Sequence, residues 1–286
     1  MNAALAHTRL TRQQIDELRR LAESAARAGG DVARQAFGQR QVVSLKDDRS
    51  EVTEIDLAAE RAIVAHIRAA RPDDLFVTEE GTTGPAPDRA DRGQVCWIID
   101  PIDGTRNYIR GAGCFTCSVA AMCGQHLLAG AVYDPLRDVM YSAGAGGNLL
   151  VGGRPVRLDD VVDAQAARHR RLIVAIPSSR RESTRELVRL VVDRHVVRNY
   201  GSTALHLAMV AAGQLDAAVS GTGKLWDIAA GVLLVEQAGG CISQPDGRTP
   251  LALDADHYSG RELPFLVGNP TAHQRLAAEL RAREAT

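Results

Sequence analysis

The stretch Trp97-Ile98-Ile99-Asp100-Pro101-Ile102-Asp103-Gly104-Thr105-Arg106-Asn107-Tyr108 decides the fold, because an apolar run ends here in two carboxylates, a glycine and a hydroxyl. Val95 to Ile99 is rich in β-branched residues and too brief for an independent helix, so it reads as a short core strand. Pro101 removes a backbone donor and biases Asp100 towards extended geometry, which predicts that the sheet ladder stops there. Asp100 and Asp103 are left at the strand's carboxyl end. Gly104-Thr105 then opens a helix, where free backbone N–H groups can take a phosphate. Two acids beside an anion-binding turn call for a cation between them. Taken alone, Asp100 to Gly104 is equally well a plain turn. Further out, Glu79-Glu80 follow the apolar run Leu75 to Val77, and Trp226-Asp227-Ile228-Ala229-Ala230-Gly231 places another acid at the start of an apolar helix. Three carboxylate sites at the ends of strands or the starts of helices are hard to explain as unrelated turns.

These elements resemble the inositol monophosphatase family of magnesium-dependent, lithium-sensitive sugar-phosphate phosphatases. Trp97 to Tyr108 is similar to the family's first signature and Trp226 to Gly231 to its second. Glu79-Glu80 matches its paired glutamates, and Val52-Thr53-Glu54-Ile55-Asp56 its Val-Thr-x-x-Asp element. The likeness runs from about Leu18 to the C-terminal helix. It implies an αβαβα sandwich of the inositol monophosphatase and fructose-1,6-bisphosphatase type, with the site between two lobes.

The resemblance also implies the chemistry. Glu79, Asp100 and the backbone carbonyl of Ile102 would hold a first Mg2+; Asp100, Asp103 and Asp227 a second; a looser third would sit near Glu79. Magnesium is a hard cation that takes oxygen ligands and keeps waters, and no His or Cys competes in these motifs. Thr105 and Glu79 would orient the attacking water, with Asp56 accepting from the threonine hydroxyl. Asp103, Gly104, Thr105 and Asp227 would meet the phosphate end of the substrate, and Gly201-Ser202-Thr203 would line the sugar pocket. Inositol-specific members carry a glutamate seven residues before the motif aspartate, where this chain has Ser220; the resemblance implies that Ser220 contacts the substrate ring more weakly or only through water, which weakens the inositol assignment.

Several of these residues carry a second reading. Asp56 also suits a helix N-terminus, where a carboxylate is favoured by the dipole. Ser202 also suits an ordinary N-cap. Trp226 reads as core rather than as a substrate platform. Arg106 faces either a second anionic group or solvent. Cys114-x-x-Cys117 could be half a zinc site or a redox pair, but no second pair stands at zinc spacing, and buried free thiols fit the apolar segment better.

At 286 residues the chain can bury a sizeable core as one large domain or two lobes. A formal net charge of −1 argues against a broad nucleic-acid or membrane face. No charged-then-apolar leader opens the sequence, and no run reaches the ~18 apolar residues of a membrane span, so the expectation is a cytoplasmic protein. The odd count of five cysteines lacks the even framework of small secreted domains.

In chain order, Thr11 and Gln14 stand in capping-box positions ahead of an amphipathic helix to Phe37 that Gly29-Gly30 interrupts, marking a bend or close packing. Val42 to Leu45 is a strand. Lys46 to Ser50 is a charged loop that the resemblance would make a mobile metal-delivering one. Asp56 to Ala70 is a second helix, Leu75 to Thr78 a strand, and Gly81 to Gly93 an exposed connection. Strands at 115–122, 127–133, 139–142 and 148–151 form an antiparallel meander. The polar segment Asp159 to Arg171 divides an N-terminal lobe, residues 1–165, from a C-terminal lobe, residues 166–286. That second half holds a strand at 172–176, a helix capped by Ser183 and Glu186, a helix at 203–212, a strand at 217–220, a buried helix at 226–238, a last strand at 263–267 and a surface helix at 271–283.

The resulting expectation is a Mg2+-dependent phosphomonoesterase acting on a small polyol or sugar phosphate such as inositol 1-phosphate, commonly a homodimer in this family. The same chemistry could serve histidinol phosphate, fructose 1,6-bisphosphate or a 3′-phosphonucleotide. A regulatory or RNA-associated protein with incidental activity is the reading of another class, for which the near-neutral charge gives no nucleic-acid footprint.

Overall fold

The computed structural model describes residues 10–40, 42–45, 51–83, 94–160, 171–177 and 182–284. The expected charged loop at 46–50, most of the connection at 81–93 and most of the lobe boundary at 159–171 lie outside these residues.

Helix α1 (Arg12–Ala36) is capped as its sequence predicts, with Thr11 and Gln14 forming a reciprocal capping box. It is not interrupted at Gly29-Gly30. The glycines serve close approach: a Cβ on Gly30 would fall 2.5 Å from the Tyr133 ring, and one on Gly29 would fall 2.6 Å from Ile63 of helix α2 (Glu54–Ala70). A two-stranded hairpin, β1 (Val43–Leu45) and β2 (Glu51–Thr53), leads into α2.

The main sheet has seven strands in chain order: β3 (Leu75–Thr78), β4 (Cys96–Asp103), β5 (Thr116–Cys123), β6 (His126–Asp134), β7 (Val139–Gly144), β8 (Leu149–Val151) and β9 (Arg154–Val156). Only β3 and β4 run parallel; the rest is the predicted meander, with β9 unanticipated. One prediction here fails. β4 does not stop at Pro101 but runs on to Asp103, and the ladder with β5 shifts register between Asp100 and Asp103 instead of ending. Proline is tolerated inside a sheet at such a bulge, where no ladder donor is required of it.

The second sheet has the order β11 (Val196–Arg198), β10 (Ile173–Ala175), β12 (Ala217–Gly223), β14 (Leu263–Gly268), β13 (Cys241–Ser243). Its helices are α4 (Glu182–Arg194), α5 (Thr203–Ala211), α6 (Leu225–Gln237) and α7 (Pro270–Glu284). The expected capping pair of α4, Ser183 and Glu186, lies outside the described side chains. The first helix turn after β4 is the short α3 (Thr105–Ile109).

Strand parity assigns the layers. On β6, Tyr133 packs against Gly30 of α1, while a Cβ on Gly130, an odd number of residues away, would meet Ala230 of α6, so α1 and α6 cover opposite faces of the main sheet. In the second sheet Val174, Ala217, Val219 and Leu266 pack with Leu187 and Val191 of α4 and Leu276 of α7. Their neighbours Ala175, Ala218, Phe265 and Val267 belong to the core shared with α5 and α6. The order is α1–α2, main sheet, α5–α6, second sheet, α4–α7, an αβαβα sandwich. Among the described residues no helix is long and apolar enough to cross a membrane. All five cysteines are free thiols; Cys96 and Cys117 are buried as expected, whereas Cys114, Cys123 and Cys241 are only half-buried.

Candidate active site

The bulge in β4 sets the geometry. Asp100 and Asp103 are an odd number of residues apart and would point to opposite faces of a regular strand. Asp100 stands opposite Ser118 and Asp103 opposite Thr116, so three steps on β4 match two on β5 and both acids come to the same side. The partners on that side are polar and put to use. Ser118 Oγ donates to the carbonyl of Trp226 at 3.2 Å, docking the first turn of α6 and so Asp227. Thr116 Oγ1 lies 3.3 Å from Ser202 Oγ at the N-cap of α5. On the other side Cys117 Sγ donates to the Pro101 carbonyl at 2.8 Å, and burial pushes this thiol far up, so it stays protonated.

Each acid is held by donors. Asp100 Oδ1 accepts from Ile102 N–H at 3.0 Å. Asp103 Oδ2 accepts from Ser202 Oγ at 2.6 Å and from the Ala204 N–H, and Thr203 N–H adds to this. Asp227 Oδ2 accepts from Lys224 N–H at 2.9 Å. Glu79 follows β3 directly, its N–H donating to Ile99 O at 3.1 Å beside Asp100. The donors do not offset burial and crowding. Burial first, then the charges of Glu79, Asp103 and Asp227, push Asp100 well above the usual carboxylate range. Burial raises Asp103 to about 6 against the pull of Ser202, Ala204 and Thr203, with Glu79 adding to the rise. Asp227, half-buried, is also pushed well up, by burial and then by Asp103 and Glu79, with Lys224 opposing.

Thr105 Oγ1 sits 3.1 Å from Asp56 Oδ1 and 3.1 Å from the Ile102 carbonyl, two acceptors for its one proton. It can stand there because Gly104 takes a left-handed conformation, φ 106°, and because a Cβ on Gly104 would fall 2.9 Å from the Cys114 carbonyl. Asp56 makes both contacts at once, at the helix start and to Thr105. Oδ2 accepts from Thr53 N–H at 2.8 Å and from the Thr53 hydroxyl, closing the capping box of α2, while Oδ1 meets Thr105. Burial raises its pKa, opposed by Thr53 and Thr105.

Other expected residues stand apart from the acids or are already engaged. Ser202 is wholly buried and its hydroxyl, besides accepting from Leu205 N–H at 3.2 Å as the N-cap of α5, donates to Asp103, so it does not line a sugar pocket. Gly201 abuts the Asn107 amide. Thr203 opens α5, half-buried, beside Asp103. Ser220 is 2% exposed and its hydroxyl accepts from Thr222 N–H at 3.0 Å, an internal cap in place of the expected substrate contact. Arg106 is exposed and pairs with Glu51 of β2 at 3.2 Å. Trp226 is half-buried, edge-on to the Tyr258 ring.

Three groups escaped sequence reading. Asn107 Nδ2 donates to both Cys114 O and Tyr200 O at 2.6 Å, clipping the turn before α5 to the signature. Thr116 and Ser118 were legible as two hydroxyls at strand spacing in an otherwise apolar run. Glu60, wholly buried in α2, binds the turn after Glu79.

The donors offered by these acids are all oxygen, and burial first, with the neighbouring carboxylates after it, disfavours their charged forms, a cost that a bound dication would offset. Among the described residues no group of three or more His, Cys, Asp or Glu is placed to hold a metal ion. By chemistry the carboxylate and carbonyl oxygens here are the ligand type that Mg2+ takes, so the donor set fits it.

The family model for the inositol monophosphatase family matches residues 14–285. The chain is 33% identical over 257 residues to an inositol-1-monophosphatase of Mesorhizobium japonicum, covering 85% of this chain and 91% of that one. It is 32% identical over 233 residues to the Nus factor SuhB of Pasteurella multocida, covering 79% and 85%. The fold superposes on the Thermotoga maritima IMPase structure with a TM-score of 0.77 at 26% identity, over 94% of this chain and 97% of that one. A phosphoric monoester hydrolase built on this sandwich, with its acids gathered by the β4 bulge, the chain belongs to the inositol monophosphatase family.

Proposed function

We propose that this phosphatase hydrolyses a small polyol or sugar phosphomonoester of the inositol 1-phosphate type, with two or three Mg2+ held by Glu79, Asp100, the Ile102 carbonyl, Asp103 and Asp227. The observation that carries the reading is geometric: the β4 bulge brings Asp100 and Asp103 to one side of the sheet, where Ser118 docks the helix start that carries Asp227, so that the site offers oxygen donors. When bound, Mg2+ supplies the Lewis acidity that lowers the pKa of water and neutralises charge on the phosphoryl oxygens. The chain supplies the rest. Thr105 donates its hydroxyl hydrogen bond to Asp56, which leaves the lone pairs of the hydroxyl oxygen to accept from a water and aim it. Glu79 takes the opposite side of that water. Gly104 and Thr105 offer backbone N–H groups to the phosphate at the start of α3.

Substrate selectivity is broad in this reading. The Ser220 hydroxyl is engaged by Thr222 and the Ser202 hydroxyl by Asp103, so neither grips a sugar ring. We place the enzyme in the cytoplasm, as a homodimer. The likeness to a relative named Nus factor SuhB supports a second reading, a regulatory role beside the phosphatase.

The test is phosphate release from a panel of phosphomonoesters by protein stripped with EDTA and reloaded, together with calorimetry of Mg2+ binding without substrate. Saturable Mg2+ binding that Asp100→Asn removes, turnover that depends on Mg2+, and inhibition by Ca2+ and lithium are the expected results. Undiminished turnover by metal-free protein sinks the proposal.

A further inference from the structure

Glu60 is fully buried at mid-helix in α2, facing the site with three donors on its carboxylate. Oε2 accepts from Glu80 N–H at 2.8 Å; Oε1 accepts from Thr82 N–H at 2.8 Å and from Thr82 Oγ1 at 2.7 Å. The turn they belong to carries Glu79. Its preceding side is tied by Glu79 N–H to Ile99 O, and Gly81 N–H donates to Thr78 Oγ1 at 3.2 Å, so four successive N–H groups from Glu79 to Thr82 are all engaged. Glu79 is thus fixed by β4 on one side and by Glu60 on the other.

Burying a carboxylate is costly unless its oxygens are fully satisfied, and an apolar side chain would serve α2 packing better. Its position explains its presence. Glu60 lies four residues after Asp56, one helical turn along the same face of α2. Asp56 bonds Thr105, and Glu60 bonds the turn of Glu79.

We propose that Glu60 is a positioning residue of this phosphatase: from α2 it holds the Glu79–Thr82 turn so that the Glu79 carboxylate is registered against Thr105 by one rigid helix. The inference rests on the assignment of Glu79 to Mg2+ and the attacking water made above. Glutamine cannot replace Glu60, because its NH2 group would face a donor where a carboxylate oxygen now accepts.

The test measures kcat, KM, Mg2+ affinity by calorimetry without substrate, and urea stability in Glu60→Gln, Glu79→Gln and the double variant. Second-layer groups of this kind typically cost ~10–100-fold in metal affinity or activity. Glu60→Gln should weaken Mg2+ binding and lower kcat by about tenfold or more, with KM within about twofold. On the Glu79→Gln background it should add less than about twofold, since it acts through Glu79. Ile67→Ala, a buried change in the same helix away from the turn, should lose stability and keep wild-type Mg2+ affinity. Full additivity in the double variant, wild-type Mg2+ affinity in folded Glu60→Gln, or an equal loss in Ile67→Ala overturns the proposal. If Glu60→Gln does not fold, Thr82→Ala decides, with at least a twofold loss of Mg2+ affinity expected and no loss overturning it. If Glu79→Gln itself binds Mg2+ normally, the assignment of Glu79 fails instead.

Discussion

Asp56 does two jobs with two oxygens, and a single substitution separates them. In Asp56→Asn one oxygen becomes an NH2 group. If the amide oxygen keeps Thr53 N–H and the Thr53 hydroxyl, the NH2 faces Thr105 Oγ1 and reverses the polarity of that contact. Thr105 must then donate to Ile102 O and accept from the new amide, which occupies the oxygen that otherwise accepts from water. Loss of such positioning typically costs ~10²–10⁴-fold in rate, about 3–5 kcal/mol of activation free energy. Stability should hardly move. Charge-assisted bonds are each worth about 1 kcal/mol more than neutral ones, but burial already disfavours the ionised Asp56, and a neutral amide recovers that penalty. The net change should stay within ~1–2 kcal/mol.

Thr53→Ala is the converse. It removes the side chain that caps Ile55 and Asp56 N–H, a loss of ~0.5–2 kcal/mol, while leaving Asp56 Oδ1 on Thr105. Turnover should remain within about fivefold of wild type. Urea midpoints and initial rates of phosphate release at saturating Mg2+ check both variants. A folded Asp56→Asn enzyme with more than about a tenth of wild-type kcat would refute the assignment, and so would a Thr53→Ala enzyme that loses as much activity as Asp56→Asn.

Three further outcomes follow from the same geometry. Asp103 holds a proton in the folded chain up to about pH 6, whereas an unfolded aspartate releases it near 4; its contribution to stability is therefore full below that lower value and lost as pH rises through about 6. Metal-free protein should show a falling urea midpoint from pH 5 to pH 7.5, restored by Mg2+ at the upper pH, and a flat or rising metal-free profile contradicts this. Ser202→Ala removes both the cap of α5 and a donor to Asp103, so it should cost ~2–4 kcal/mol of stability and weaken Mg2+ binding, with calorimetry and urea unfolding as the measurements. Selectivity across small phosphomonoesters should be flat; a preference for inositol 1-phosphate of tenfold or more, about 1.4 kcal/mol, would show that a contact other than Ser220 grips the ring.

Much of this was legible in the sequence where chemistry and local structure share a residue. Thr11 with Gln14 and Ser202 before an apolar run announce helix starts, and the acids at Glu79, Asp100, Asp103 and Asp227 stand at strand ends and a helix start that periodicity already marks. What was hidden depends on partners distant in the chain. Pro101 looks like a stop because proline lacks a donor, but β5 absorbs it in a bulge, and the sequence of β4 alone cannot reveal that. β9, β11 and β13 are each three residues long, too short to display a period. Glu60 looks like a solvated position of an amphipathic helix, because the backbone that satisfies it begins 20 residues later. Gly29-Gly30 reads as either a bend or close packing, and only Ile63 and Tyr133, packed against it, select the second.

A cluster of buried acids should oppose folding before any cation arrives, and the fold answers with helix starts. Asp56 sits in the first turn of α2 and accepts from Thr53 N–H; Asp227 sits in the first turn of α6 and accepts from Lys224 N–H. Asp103, from another strand, accepts from Ala204 N–H in the first turn of α5. Each helix start presents the positive end of its dipole, worth typically ~0.3–1 kcal/mol per charge and up to ~2 when partly buried. Three such ends offset a fraction of the repulsion, since Asp100, Asp103 and Asp227 remain above their ordinary pKa values. The balance is what the chemistry requires. Helix ends strong enough to neutralise the acids would leave little for a dication to gain, and no helix ends at all would leave a chain that folds only around metal. Partial compensation predicts a protein that is folded without Mg2+ and is stabilised by it, and metal-free protein with no cooperative urea transition at pH 7.5 would show that the helix starts do not suffice.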